Sequence, residues 1–160
     1  MVSGEPDWRR RVGNVITGQE LPQVITRHGF GTAESSAATI ENVSPGGSYE
    51  FVNYTGKGYL YWYYVRVLAE TDSDLIRIWI TIDDVPLRFA GVYDFRGFYS
   101  MGFDTNTKPL QLLKYARDGE CAALCYFNPP LAFDSSLVLE VVNGSLNTQK
   151  VIGAWFYTKL

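Results

Sequence analysis

The sequence predicts an all-β protein: one antiparallel β-sandwich or barrel, preceded by an irregular N-terminal arm. Three observations lead to that class. From Ala38 onward, short β-type runs alternate with clusters of Gly, Pro, Asn, Asp and Ser, the pattern of strands joined by turns. Aromatic residues make up 15% of the chain, whereas a disordered chain is charge-rich and aromatic-poor. At 160 residues, the expectation is one domain with a properly buried core.

The arm is read over residues 1–36 and the sandwich over 37–160. In the arm, short apolar pieces (Val12, Val15, Ile16; Val24, Ile25) are separated by Gly and Pro, so neither a long helix nor a stable hairpin is specified. Such a segment either packs along its own domain or reaches a neighbour. Arg9-Arg10-Arg11 is balanced by Glu5, Asp7, Glu20 and Glu34 and reads as a solvated patch. Strands are expected at Ala38–Val43, Ser48–Tyr54, Gly58–Ala69, Leu75–Ile82, Pro86–Ala90, Phe98–Phe103, Cys121–Phe127, Leu137–Val142 and Lys150–Thr158. Pro109–Arg117 fits two elements. Thr107 as a cap and Gly119 as a stop suit a helix, while Leu110, Leu112, Leu113 and Tyr115 suit a strand equally.

Gly58 to Asp83 is the most informative stretch. Ile76, Ile78, Ile80 and Ile82 form a pure apolar face in one run, opposed by Leu75, Arg77, Trp79 and Thr81. In the preceding run Tyr59, Tyr61, Tyr63, Val65, Val67 and Ala69 share one face, and Leu60, Trp62, Tyr64, Arg66 and Leu68 the other. Thr71-Asp72-Ser73-Asp74 reads as a four-residue hairpin loop. Pairing Glu70 with Leu75 then sets Tyr63 opposite Ile82, Val65 opposite Ile80 and Val67 opposite Ile78. A one-residue slip would bring the isoleucines against Arg66 and Tyr64. The isoleucine face is expected to be core.

By the same register Arg66 lies opposite Trp79, in reach of a cation–π contact, and Leu68 lies opposite Arg77. The reverse face of this hairpin, Trp62, Tyr64, Leu68 and Trp79 edged by Arg66 and Arg77, is the candidate interface or ligand face. Aromatics with Arg and little Lys or Glu is the composition of an interface core. Either the arm or a loop of the same chain covers it, or a partner subunit or ligand does. Trp62, Tyr64 and Trp79 would also supply a stacking platform for a sugar. The glycine-punctuated aromatic segment Phe89–Tyr99 is a second recognition candidate.

Catalytic chemistry is not expected. The single histidine, His28, lies in the irregular arm, away from the rigid scaffold that a nucleophile–base pair needs. No His/Cys metal spacing and no phosphate-cradling glycine loop occur, so no catalytic, cofactor or metal residues are assigned. Asp83-Asp84, Asp72/Asp74 and Asp104-Thr105-Asn106 read as turn chemistry. Cys121 and Cys125 read as two small buried apolar residues; on one strand their Cα atoms would stand about 13 Å apart, too far for a disulfide. Fourteen basic against 17 acidic residues leave a net charge of −3, which argues against a binder that neutralises nucleic-acid phosphates. No run approaches the ~20 apolar residues of a membrane span, and the first residues lack the basic lead and apolar core of a secretory signal. No membrane association is expected, and synthesis in a cytoplasm is.

Asn53-Tyr54-Thr55-Gly56-Lys57-Gly58-Tyr59-Leu60, followed by a strand, the polar Thr71–Asp74 segment and Ile78-Trp79-Ile80-Thr81-Ile82-Asp83, resembles a pattern in tailed-phage virion proteins. There a "tGkG-hydrophobic" strand precedes a "hxIxIDg" strand within a jelly-roll-like β-sandwich. The resemblance covers residues 50–90, and Asp84 stands where glycine is usual. It implies a non-enzymatic building block of head, neck, tail or fibre, assembled in the host cytoplasm as a homo-oligomer, in trimers or rings, with other virion proteins. A carbohydrate-binding module is the alternative.

Overall fold

The computed structural model describes residues 31–35, 39–68, 71–87, 94–104, 106–107 and 109–160. The chain divides into two units, Met1–Gly31 and Thr32–Leu160, and the described strands and helix all belong to the second. His28, the arginine triplet and most of the segment read as the arm lie outside the described residues.

The described elements are strands β1 (Thr32–Ser35), β2 (Thr39–Val43), β3 (Ser48–Thr55), β4 (Gly58–Val67), β5 (Ile76–Ile82) and β6 (Val85–Pro86), helix α1 (Phe95–Ser100), then β7 (Leu110–Lys114), β8 (Cys121–Phe133), β9 (Ser136–Asn143) and β10 (Gln149–Lys159). They form an antiparallel two-sheet β structure, as the alternation predicts. A six-stranded sheet runs β1-β10-β4-β8-β7, with β2 also paired to β10; a four-stranded sheet runs β3-β9-β5-β6. Thr32–Ser35, at the end of the segment read as the arm, pairs with Phe156–Lys159. Among the described residues no helix is long and apolar enough to cross a membrane.

The hairpin expected between Gly58–Ala69 and Leu75–Ile82 does not form. β4 pairs with β10 and β8, whereas β5 pairs with β9 and β6 in the other sheet. The polar segment between them is a crossover. Asp72 takes a left-handed backbone (φ 57) and Ser73–Leu75 make a 3-10 turn. Ser73 and Asp74 are fully buried, Ser73 Oγ donates to the Gly119 carbonyl, and Gln149 Nε2 donates to the Thr71 carbonyl. A free hairpin loop has no need of such anchors; this segment carries the chain across the sandwich.

The isoleucines nevertheless face the core. Ile76, Ile78 and Ile80 are buried, and Ile82 packs against the cluster. They meet Tyr63, Val65 and Val67 in one cluster built from the two sheets. On β4 the expected face is interrupted between Leu60 and Trp62, where the register with β8 shifts. Gly58 and Leu60 point inward on one side of this irregularity, and Tyr63, Val65 and Val67 on the other. Tyr59 and Tyr61 therefore leave the face that simple alternation gave them, because an extra residue in a strand reverses the parity beyond it.

Two further elements differ from or resolve the expectation. Phe98–Phe103, expected as a strand, is mostly helix α1 and the turn after it. Asp94 caps that helix by accepting from the Gly97 N–H at 2.7 Å, and Phe95 and Phe98, three apart, are both buried. Leu110–Lys114 is strand, which decides the open segment Pro109–Arg117.

Candidate functional site

An extended apolar surface covers the outer face of the six-stranded sheet. Register arranges its side chains in rows across β10, β4 and β8: Phe156–Trp62–Tyr126, then Ala154–Tyr64–Leu124, then Ile152–Arg66–Ala122. Ile40 on β2 extends the last row beside Ile152 and is 53% exposed. Tyr61 and Phe156 bring their rings to 5.0 Å. Alanine at 154 leaves a shallow hollow of about 340 Å³, lined by Trp62, Tyr64, Leu124, Tyr126 and Ala154. Its walls are aromatic rings and aliphatic carbon, with no charged side chain. Such a surface favours burial against another apolar body.

Charge sits at the rim. The Arg66 guanidinium reaches Glu120 at 2.5 Å, and Lys114 Nζ reaches the same carboxylate at 2.7 Å. Those two cations hold the Glu120 carboxyl below its ordinary range, Lys114 contributing most. A second hollow of about 320 Å³ adjoins through Tyr126 and is lined also by Pro109, Phe127, Asn128 and Pro129. It lies where β8 departs from its ladder with β4, between Tyr126 and Leu131.

The six residues nominated from sequence are divided by this architecture. Trp62, Tyr64 and Arg66 share the outer face of the larger sheet, and Leu68 follows the strand end, its N–H bonded to the Lys150 carbonyl at 2.9 Å. Arg77 and Trp79 belong to the four-stranded sheet, where they stand beside Val142 and Glu140. The Arg66–Trp79 pair is therefore not made; its premise was the hairpin. Leu124, Tyr126, Ala154 and Phe156 were not nominated. A usable signal was present in β8, whose Cys121–Phe127 run is apolar on both of its faces.

A second constellation lies at the crossover. Asp74, fully buried, accepts from Arg96 Nε and Nη2, both at 2.9 Å, and from the Tyr115 hydroxyl at 3.0 Å. Tyr99 stacks on Tyr115 at 4.2 Å with 7° between planes. The bond to Asp74 raises the Arg96 pKa and burial raises that of Tyr115. Both carboxylate oxygens accept hydrogen bonds, and the group ties the crossover to α1 and to Tyr115, just after β7.

The remaining acidic motifs act as turns. Asp83 and Asp84 both have positive φ (51 and 63) and close the β5–β6 hairpin, while Asp104 Oδ1 accepts from the Asn106 N–H at 2.7 Å. Cys121 and Cys125 are buried free thiols, and burial pushes the Cys125 pKa up to about 12. Among the described residues no group of three His, Cys, Asp or Glu side chains is placed to hold a metal. No protein-family model and no curated protein sequence matches this chain.

Proposed function

We propose that this chain is a non-enzymatic structural protein of a phage virion, a jelly-roll sandwich that assembles through the outer face of its larger sheet. Strand order supports the jelly-roll reading. Lettering β2 to β6 as B to F and β8 to β10 as G to I gives B-I-D-G facing C-H-E-F, the order of two interlocked Greek keys; β7 is an addition at the edge of G. Folds of this kind serve capsids and lectins alike, so the surface must discriminate between them.

One observation carries the assembly reading: the Phe156–Trp62–Tyr126 and Ala154–Tyr64–Leu124 rows form an uncharged apolar face across three central strands. Burying it on a homo-oligomeric neighbour, or on another virion protein, removes that area from water at about 25 cal/mol per Å². Segment 1–31 would add contacts as an arm. Size-exclusion chromatography with light scattering on the full chain is expected to give a trimer or ring, and Trp62→Ala to reduce its mass. A strict monomer at high concentration overturns the reading. Capsid, portal or tail genes beside the coding sequence are the expected genomic context, and a purely metabolic neighbourhood counts against a virion.

The hollow beside Asn128 favours a second reading, carbohydrate binding. It sets an amide next to the Tyr126 ring, the pairing of stacking surface and hydrogen-bonding group that a sugar requires. A glycan array with Trp62→Ala and Tyr126→Ala controls tests it, and binding lost in both variants would promote this alternative.

A further inference from the structure

Resting on the carbohydrate reading, two register breaks that meet at Tyr61 bear on the class of sugar. Against β10, Phe156 pairs with Trp62 and Tyr157 with Leu60, so Tyr61 is an extra residue. Against β8, Trp62 pairs with Tyr126 and Leu60 with Leu131, which leaves Phe127, Asn128, Pro129 and Pro130 opposite Tyr61 alone. Two successive prolines cannot donate to a ladder, so the chain leaves its pairing here. Bulges are frequent beside functional sites because they re-aim side chains. This one sets Tyr61 against Phe156, with ring centres 5.0 Å apart, and places Asn128 beside Tyr126.

The hollow that results has a volume of about 320 Å³ and is walled also by Pro109. The Tyr126 N–H, bonded to the Pro109 carbonyl at 2.7 Å, holds that wall in place. Small-ligand sites span about 300–1,000 Å³, so this one suits a ligand of one or two rings. Tyr126 is 40% exposed, and its ring can take the apolar face of such a ligand. Asn128 is exposed, and among the described residues its amide has no hydrogen-bond partner. An amide both donates and accepts, which answers two neighbouring hydroxyl groups.

Charge decides between neutral and acidic sugars. A carboxylate on the ligand calls for an arginine or a lysine, and neither lines this hollow or the adjoining one at Trp62. Arg66 and Lys114 are held by Glu120, and Lys159 by Glu34. Arg66 also stands four residues from Trp62 along β4, about 13 Å at the rise of a strand. We propose that the hollow binds a neutral pyranoside, its apolar ring face on Tyr126 and two adjacent hydroxyls on the Asn128 amide.

An array carrying neutral glycans together with sialylated and uronate-bearing ones, probed with the full chain, tests the class of sugar. Binding is expected on neutral glycans. Asn128→Ala, at an exposed position, is expected to weaken it by about tenfold, while Tyr126→Phe, which keeps the ring, binds as the parent does. Binding confined to the acidic glycans overturns the neutral assignment and leaves the carbohydrate reading in place. Neutral binding unchanged in Asn128→Ala overturns the amide's role, and binding lost in Tyr126→Phe overturns stacking as what Tyr126 supplies. A full chain that binds no glycan overturns the carbohydrate reading itself, and this site with it.

Discussion

Asp83 binds two turns together through one carboxylate. Its Oδ1 accepts from the N–H groups of Asp134, Ser135 and Ser136 at 3.0, 2.7 and 3.1 Å. Those bonds favour the ionised form and lower its pKa to about 2. A depressed folded-state value stabilises the protein above the unfolded pKa near 3.8 and loses that contribution as pH falls toward 2. Asp83→Asn should therefore lower stability at neutral pH and flatten its decline between about pH 4 and 2, as followed by urea unfolding across that range. Gly58 shows a different constraint. A Cβ there would stand 1.8 Å from the Thr158 carbonyl oxygen and 2.5 Å from the Phe133 ring, so β4 passes its neighbour at backbone contact. Gly58→Ala should prevent folding. Gly46→Ala meets nothing within 4 Å but keeps a positive φ of 68°, and should cost only about 1 kcal/mol in the same assay.

At the scale of elements, the crossover between β4 and β5 is the decisive joint. It carries a buried carboxylate, and the Arg96 side chain that neutralises it is 39% exposed. Removing one partner of a fully buried pair costs about 3–5 kcal/mol; solvent screening at the half-exposed guanidinium reduces that. Arg96→Ala is expected to destabilise by about 2 kcal/mol, since it strands Asp74 with the Tyr115 hydroxyl as its remaining side-chain partner. Arg66→Ala, at the Glu120 rim, should change stability by less than about 1 kcal/mol. Chemical denaturation of the two variants side by side checks the contrast. Legibility at this scale follows the same division. Alternation located β3, β4, β5, β9 and β10 to within a residue or two. It could not show that Thr71–Asp74 crosses the sandwich, because what makes that segment a crossover is its bonding to Gly119, Arg96, Tyr115 and Gln149, 22 to 78 residues away. Helix α1 was missed because Phe98–Phe103 carries aromatics on a segment too short for periodicity to distinguish 2.0 from 3.6.

For the whole molecule, core and outer face should separate in experiment. Leu139, fully buried in the central strand β9, should cost about 2–5 kcal/mol as Leu139→Ala. Trp62→Ala should leave the stability of the dilute monomer within about 1 kcal/mol while reducing oligomer mass; unfolding and light scattering on one preparation measure both. The candidate face was half legible for the same reason that it exists. Trp62, Tyr64 and Arg66 share one strand, and their common direction is a property of residues two apart. Leu124, Tyr126, Ala154 and Phe156 join them only through pairing across 60 to 94 positions of sequence. The chain by itself determined the all-β class, most strand positions and the inward isoleucines, since pleat and turn preferences act between near neighbours. Which strands became partners, where β4 reversed its facing, and that Trp79 and Trp62 lie on different sheets were decided by the tertiary structure. Those choices depend on contacts between distant segments, whose energies exist only once both sheets have come together.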